Sequence, residues 1–260
     1  MENNSTWPTS PPSPTLSPSK RGFELGWSLL FALGAILVVF ASGFAFAVAG
    51  IATGAIDPHT KSIPPLINLL GSIVVFAILA LYMLAFLPLL ARRSLEALGM
   101  RGFGAREIGI ALFGAIVMTF SVDLCAAGLE NLTHHHETEG AIALLSQVNT
   151  PQQAAIFIFL AVALAPIAEE LTFRMFLFNA FRRYAPTTIA AILSGIVFGA
   201  AHVSAPTSWQ FVLVGIPLAL GGIILATVYA WSRCYWSNVT THALFNAFPL
   251  VLYFGFHIKS

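Results

Sequence analysis

Apolar residues run along this chain in long blocks, with short polar segments between them. Seven blocks come close to the roughly 20 residues that a helix needs to cross a bilayer. They cover residues 25–53, 65–90, 108–129, 154–181, 187–202, 209–231 and 236–256. The pattern predicts an all-α fold, a polytopic transmembrane helical bundle of about seven spans. A re-entrant turn at Pro217, inside the sixth block, would raise the count to eight.

The polar segments divide the chain into three regions. Residues 1–22 are rich in proline and serine, which is typical of a disordered tail. Residues 23–149 hold three spans. Residues 150–256 hold four spans and most of the polar side chains that fall at membrane depth. We expect this last region to be the functional core.

The composition supports a membrane protein and excludes one class of partner. Of the 260 residues, 57% are hydrophobic and 9% are charged, whereas soluble domains carry about 25% charged residues. The net charge of +1 gives no indication of a nucleic-acid partner. The two cysteines, Cys125 and Cys234, form neither a disulfide framework nor a metal-binding motif.

Basic residues predict the orientation in the membrane. In a seven-span arrangement nearly all of them fall on one side, and only Lys61 and Lys259 fall on the other. By the positive-inside rule the N-terminus is then cytoplasmic. The residues on the cytoplasmic side would be Lys20, Arg21, Arg92, Arg93, Arg101, Arg106, Arg182, Arg183 and Arg233.

The fourth block contains three charged residues, Glu169, Glu170 and Arg174, in an otherwise apolar segment. Each charge at the centre of a membrane helix costs about 2.5–3.5 kcal/mol on insertion scales. Glu170 and Arg174 are four residues apart, so on a helix they face each other and can pair. Glu169 points about 100° away and lacks this local partner. We expect one glutamate to be held and charged, and the other to be free to exchange a proton.

Three further polar residues fall at a similar depth. Glu170, His202, His242 and Asn246 lie about 14–22 Å along their helices from the basic side, at about 1.5 Å per residue. His242 and Asn246 are four residues apart and share one helix face. Small residues before His202, including Gly195 and Gly199, permit close helix approach. All these side chains can therefore meet inside the bilayer.

Such a cluster supports more than one chemistry. A carboxylate and an imidazole can activate a water, and a second imidazole with an amide N–H can stabilise the resulting oxyanion. The same residues, Glu169, His202, His242 and Asn246, could instead ligate a divalent metal such as zinc. The H-E-x-x-H motif of zinc proteases is absent from the sequence.

Three motifs resemble the signature of the CAAX protease and bacteriocin-processing family of membrane peptidases. They are Glu169-Glu170-x-x-x-Arg174, Phe198-x-x-x-His202 and His242-x-x-x-Asn246, each on its own span and in the family's order. The resemblance covers about residues 150–250 and leaves the first three spans outside it.

The resemblance implies roles for these residues. Glu169 would be the base that activates water, assisted by His202, and His242 and Asn246 would stabilise the oxyanion. Glu170 and Arg174 would hold the helix geometry. The substrate would be a membrane-anchored protein or peptide, prenylated at a CAAX sequence or bacteriocin-like, and the location a bacterial cytoplasmic membrane. Metal dependence stays open, because the family has been described both as metal-dependent and as glutamate-dependent.

Two other functions fit the same residues. Carboxylates and histidines at mid-membrane also build the proton relays of transporters, although the chain shows no internal repeat of the kind that many transporters have. A non-catalytic immunity or scaffold protein could keep the same fold.

Overall fold

The computed structural model describes residues 18–57, 59, 63–92, 94–205 and 207–255, with side chains from residue 25 onward. Residues 1–17 of the expected tail lie outside this range, as do Lys61, Arg93 and Lys259, which entered the orientation argument. The first helix begins at Pro18, so residues 18–22, which we expected in the tail, are helical.

The described part of the chain is a bundle of eight helices with no strand. Two of them, α5 and α7, are continuous helices with π-helical segments inside. The helices are α1 (Pro18–Ala52), α2 (Pro65–Ala91), α3 (Ala105–Thr133), α4 (Gly140–Leu145), α5 (Pro151–Arg182), α6 (Thr187–Ala201), α7 (Ser208–Ser232) and α8 (Tyr235–Gly255).

Five of the described helices, not seven, are long and apolar enough to cross a membrane: α1 from Leu25, α2, α3, α5 and α7. The prediction of about seven spans is therefore wrong, for two separate reasons. Helix α6 has 15 residues, which is short for a span. Helix α8 has 21 residues, but its Ser, Asn, Thr and His side chains lower its hydropathy. The all-α membrane bundle itself is confirmed, and the cytoplasmic N-terminus stays a prediction.

Helix ends follow local sequence signals. Thr150 caps α5 by accepting a hydrogen bond from the Gln153 N–H at 3.2 Å, and Pro151 occupies the first helical position. Thr207 caps α7 in the same way. At the other end, α3 and α7 stop at residues with left-handed backbone, His134 and Arg233.

Helix α5 is the centre of the bundle and contacts α2, α6, α7 and α8. Pro166 interrupts its hydrogen bonding, because proline has no N–H and its ring clashes with the carbonyl four residues back. The helix widens to avoid the clash: Leu160–Leu164 is π-helical, and the Ala165 N–H donates to the Leu160 carbonyl. Pro217, which suggested a re-entrant turn, lies in α7 after a similar π-helical segment, Phe211–Gly215.

Helices α6 and α7 touch through backbone. A Cβ added to Gly195 would lie 2.7 Å from the Ala219 carbonyl oxygen, and one added to Gly199 would lie 2.7 Å from the Ala219 nitrogen and closer still to the Gly215 carbonyl oxygen. Only glycine permits this approach, so the expected role of these two glycines is confirmed. The contact sets the position of His202, which follows directly at the end of α6.

We expect Gly199→Ala to lower the stability of the purified protein by about 1–3 kcal/mol, because backbone atoms of α7 would have to move. Thermal unfolding in detergent micelles measures the effect. Gly109→Ala in α3 is the matched control, since a Cβ there meets nothing within 4 Å. Equal melting temperatures for Gly199→Ala and wild type would contradict the packing argument.

Candidate active site

The site is built around Glu170, a fully buried carboxylate on α5. Its Oε1 accepts hydrogen bonds from Arg174 at 3.0 Å and from Nδ1 of His242 at 2.8 Å. Its Oε2 accepts a hydrogen bond from the Asn238 side-chain amide. A buried carboxylate is tolerated only when such donors replace water. Glu170 thus ties α5 to α8.

Arg174 extends the network to a third helix. Besides the predicted pair with Glu170, which the structure confirms, its guanidinium donates to the Gly222 carbonyl of α7 at 3.1 Å. It also lies 4.6 Å from the centre of the Phe198 ring of α6, a cation–π contact. The positive charge of Arg174 is therefore stabilised by a carboxylate, a carbonyl oxygen and an aromatic ring.

Glu169 and both histidines come together as expected. Oε2 of Glu169 lies 3.8 Å from Nε2 of His202 and 3.8 Å from Nε2 of His242. Within the described residues this oxygen is buried and has no hydrogen-bond partner. Both distances are too long for a direct hydrogen bond.

Each imidazole is oriented through its other nitrogen. Nδ1 of His202 is 2.7 Å from the carbonyl oxygen of Phe198. Since a carbonyl only accepts, Nδ1 donates this hydrogen bond, and Nε2 is the ring nitrogen nearer to Glu169. Nδ1 of His242 likewise donates to Glu170. Both Nε2 atoms therefore point at one carboxylate oxygen.

The aromatic residue of the second motif packs between the polar groups. The Phe198 ring centre is 4.4 Å from that of His202 and 5.8 Å from that of His242. Phe198 is itself almost fully buried. It thus packs against the Arg174 guanidinium and close to both imidazoles.

Asn246 is placed differently from its expected role. Its amide donates to the Ala161 carbonyl of α5 at 2.8 Å. That carbonyl lacks a backbone donor, because Ala165 donates to Leu160 instead and Pro166 has no N–H. Asn246 thus closes the gap that Pro166 opens. Its role as an oxyanion donor stays a prediction.

A metal ion does not fit these side chains as they lie. A tetrahedral zinc with bonds of about 2.0–2.2 Å holds its ligand atoms roughly 3.4 Å apart, closer than the 3.8 Å found here. Among the residues that the structure describes, no group of three His, Cys, Asp or Glu is arranged to hold a metal. Asn246, the fourth suggested ligand, donates its amide to the Ala161 carbonyl instead.

Two residues of the site escaped the sequence analysis. Asn238 lies one helical turn before His242, which could have indicated a shared face. Glu139 lies between α3 and α4, outside the spans, and interacts electrostatically with Glu169, His202 and His242. Burial and the Glu169 charge raise the pKa of Glu139, while the two histidines oppose this shift. No spacing in the sequence indicates this contact.

Comparisons with known proteins agree with the three motifs. Residues 151–248 match the family described as type II CAAX prenyl endopeptidase Rce1-like. The chain is also 22% identical over 191 residues to "Putative membrane peptidase YdiL" of Bacillus subtilis (strain 168), a match that covers 71% of this chain and 74% of that protein. No solved structure gives a significant match. The chain is an integral multi-pass membrane protein, and the family resemblance is confirmed.

We expect Asn246→Ala to reduce stability by about 1 kcal/mol, towards the lower end of the cost of leaving an acceptor unsatisfied, because the Ala161 carbonyl is only partly buried. Asn131→Ala is the matched control, because Asn131 is exposed at the end of α3. The readout is thermal unfolding of both variants in the same detergent. If Asn246→Ala melts like wild type, Asn246 does not support α5 through the Ala161 carbonyl.

Proposed function

We propose that this chain, whose residues 151–248 match the Rce1-like family of type II CAAX prenyl endopeptidases, is an intramembrane endopeptidase in which Glu169 and His202 activate a water. The observation that carries the proposal is the convergence on Glu169. Its buried Oε2 has no hydrogen-bond partner within the described residues and lies 3.8 Å from each imidazole Nε2.

In the proposed reaction the water lies between Glu169 and the lone pair of His202. It attacks the scissile carbonyl carbon while its proton passes to the Glu169 carboxylate. The carbonyl oxygen becomes an oxyanion. When the C–N bond breaks, the proton on Glu169 moves to the leaving amine. Glu169 is then restored for the next cycle.

His242 can assist at the oxyanion stage in one protonation state only. Its Nδ1 proton is committed to Glu170, so its Nε2 donates a hydrogen bond only when the ring is an imidazolium. Arg174 and Asn238, which bind the same carboxylate, act as positioning residues for His242.

The proposed substrate is a membrane-associated protein or peptide, of the prenylated CAAX type or bacteriocin-like. The position of the site supports this class. The Glu169 carboxylate lies on α5, a helix of membrane length, and its side chain is 13% exposed. A bond held close to the bilayer reaches such a site more readily than a bond in a folded soluble protein.

We expect Glu169→Gln to lower peptide-bond hydrolysis by about 10²–10⁴-fold, the usual contribution of a general base. The amide keeps the shape of the side chain and cannot accept the proton. The measurement is cleavage of a lipidated peptide library by the purified protein in liposomes, followed by mass spectrometry.

Glu96→Gln is the charge-matched control, because Glu96 is exposed and lies far along the chain from the site. It should cleave at the wild-type rate. Melting temperatures of both variants show whether they are folded. Unchanged cleavage by a folded Glu169→Gln variant contradicts the proposed base.

A further inference from the structure

The loop between α2 and α3 lies against the turn between α7 and α8, at one end of the bundle. The Arg101 guanidinium donates to the carbonyls of Ser232 at 2.8 Å and Arg233 at 3.0 Å. Arg106, in the first turn of α3, donates to the Trp231 carbonyl at 3.3 Å. Helices α3 and α7 are both of membrane length, and these contacts join the start of one to the end of the other. Arg101, Arg106 and Arg233 therefore lie where the bundle leaves the bilayer, and we call them the arginine patch.

The two chain segments that meet here carry more positive than negative charge. Residues 91–107 and 231–236 contain five arginines and two glutamates, Glu96 and Glu107, and they contain no aspartate, lysine or histidine. The arginines thus exceed the carboxylates by three. A negatively charged group close to this surface is attracted to it.

The arginine patch also keeps hydrogen-bond donors for a ligand. Oε1 of Glu107 accepts from Arg101 at 3.1 Å and from Arg106 at 3.3 Å, so two arginines share one carboxylate. A guanidinium has five N–H groups, and Arg106 uses two of them within the described residues. The Arg106 side chain is 59% exposed. The exposed Arg233 side chain makes no hydrogen bond or ion pair with any other described residue.

An exposed apolar face of α3 begins at Arg106 and continues along the span. Phe113 and Phe120 follow at intervals of seven residues, which is close to two helical turns, so they share one side of the helix with Arg106. Their side chains are exposed, and so is that of Trp231 beside Arg106. Tryptophan at such a position is typical of the membrane interface. A phospholipid contacts the arginines and this face together, whereas a free anion or an acidic soluble protein reaches only the arginines.

We propose that the arginine patch binds the phosphate group of an anionic phospholipid whose acyl chains lie along the face of α3 marked by Phe113 and Phe120. Arginine binds phosphate through parallel N–H···O hydrogen bonds, and the negative headgroup offsets the excess positive charge. A zwitterionic headgroup also carries a cation, which the arginines repel. The patch therefore selects lipids with a net negative charge. This binding does not depend on the proposed peptidase activity.

The test is native mass spectrometry of the full-length protein, released from detergent micelles that contain equal amounts of dioleoyl phosphatidylglycerol and dioleoyl phosphatidylcholine. These lipids share their acyl chains and differ in headgroup charge. For the first bound lipid, we expect the wild type to prefer phosphatidylglycerol about 25-fold, from about fivefold for each of the exposed Arg106 and Arg233.

Arg233→Gln should lower this preference about fivefold, because one of the two exposed charges is lost. It is the decisive variant, since no hydrogen bond or ion pair to the described residues is removed with the side chain. Arg106→Gln should have the same effect, and its melting temperature shows whether the loss of its contacts with Glu107 and the Trp231 carbonyl leaves the protein folded.

Arg182→Gln is the matched control. Arg182 is exposed at the end of α5, and Asn179, one turn before it, donates to the Tyr229 hydroxyl of α7 at 3.1 Å. The variant thus removes an equal charge from the same end of the bundle. It should keep the wild-type preference.

Inorganic phosphate, added in large excess, distinguishes a lipid site from a site for any free phosphate. It should leave the bound phosphatidylglycerol in place, because it has no acyl chains to contact α3. Displacement of the lipid by phosphate overturns the inference. Equal binding of both lipids by the wild type, or an unchanged preference in Arg233→Gln, also overturns it. An equal loss of preference in Arg182→Gln and Arg233→Gln assigns the attraction to the overall charge and overturns the site as well.

Discussion

The structure depends on one buried carboxylate and the donors that surround it. Glu170 is fully enclosed in the bundle, and Arg174, Asn238 and His242 together satisfy its two oxygens. Removing any one of these donors leaves the buried carboxylate short of a hydrogen bond that water cannot replace. The three donors come from α5 and α8, and Arg174 also reaches α7. The packing of these helices and the orientation of the His242 ring therefore have one common cause.

Irregular helix geometry places the other groups around this centre. Pro166 forces a π-helical segment into α5 just before the two glutamates, and the carbonyl that it leaves unsatisfied is taken by Asn246 of α8. The cost of the irregularity is thus offset by a contact between two site helices. π-helical turns are common at functional sites because they change the direction in which the following side chains point. Glu169 and Glu170 themselves lie in the regular helical stretch Ala165–Glu170, where the rotation of about 100° per residue directs them apart.

The two glutamates have different surroundings although they are adjacent in sequence. Glu170 accepts three hydrogen bonds, whereas Oε2 of Glu169 has none from the described residues and faces two imidazoles. One carboxylate orients a ring, and the other is placed to take a proton in the proposed reaction. Glu139, between α3 and α4, interacts electrostatically with Glu169 and with both histidines.

The sequence by itself determined the fold class, the order of the motifs and the pair of Glu170 with Arg174, because these follow from local composition and from the spacing of one helical turn. It overestimated the number of spans for two reasons. The apolar block of α6 did not show that this helix is short for a span, and the polar side chains of α8 lower the hydropathy of that helix. Depth along each helix was enough to predict that His202 and His242 meet Glu169. Only the tertiary structure decided that Asn246 bonds to a carbonyl of α5 and that Glu139 interacts with Glu169. These contacts join residues more than 25 positions apart in the chain, and they depend on helix rotation and loop path, which no local spacing encodes.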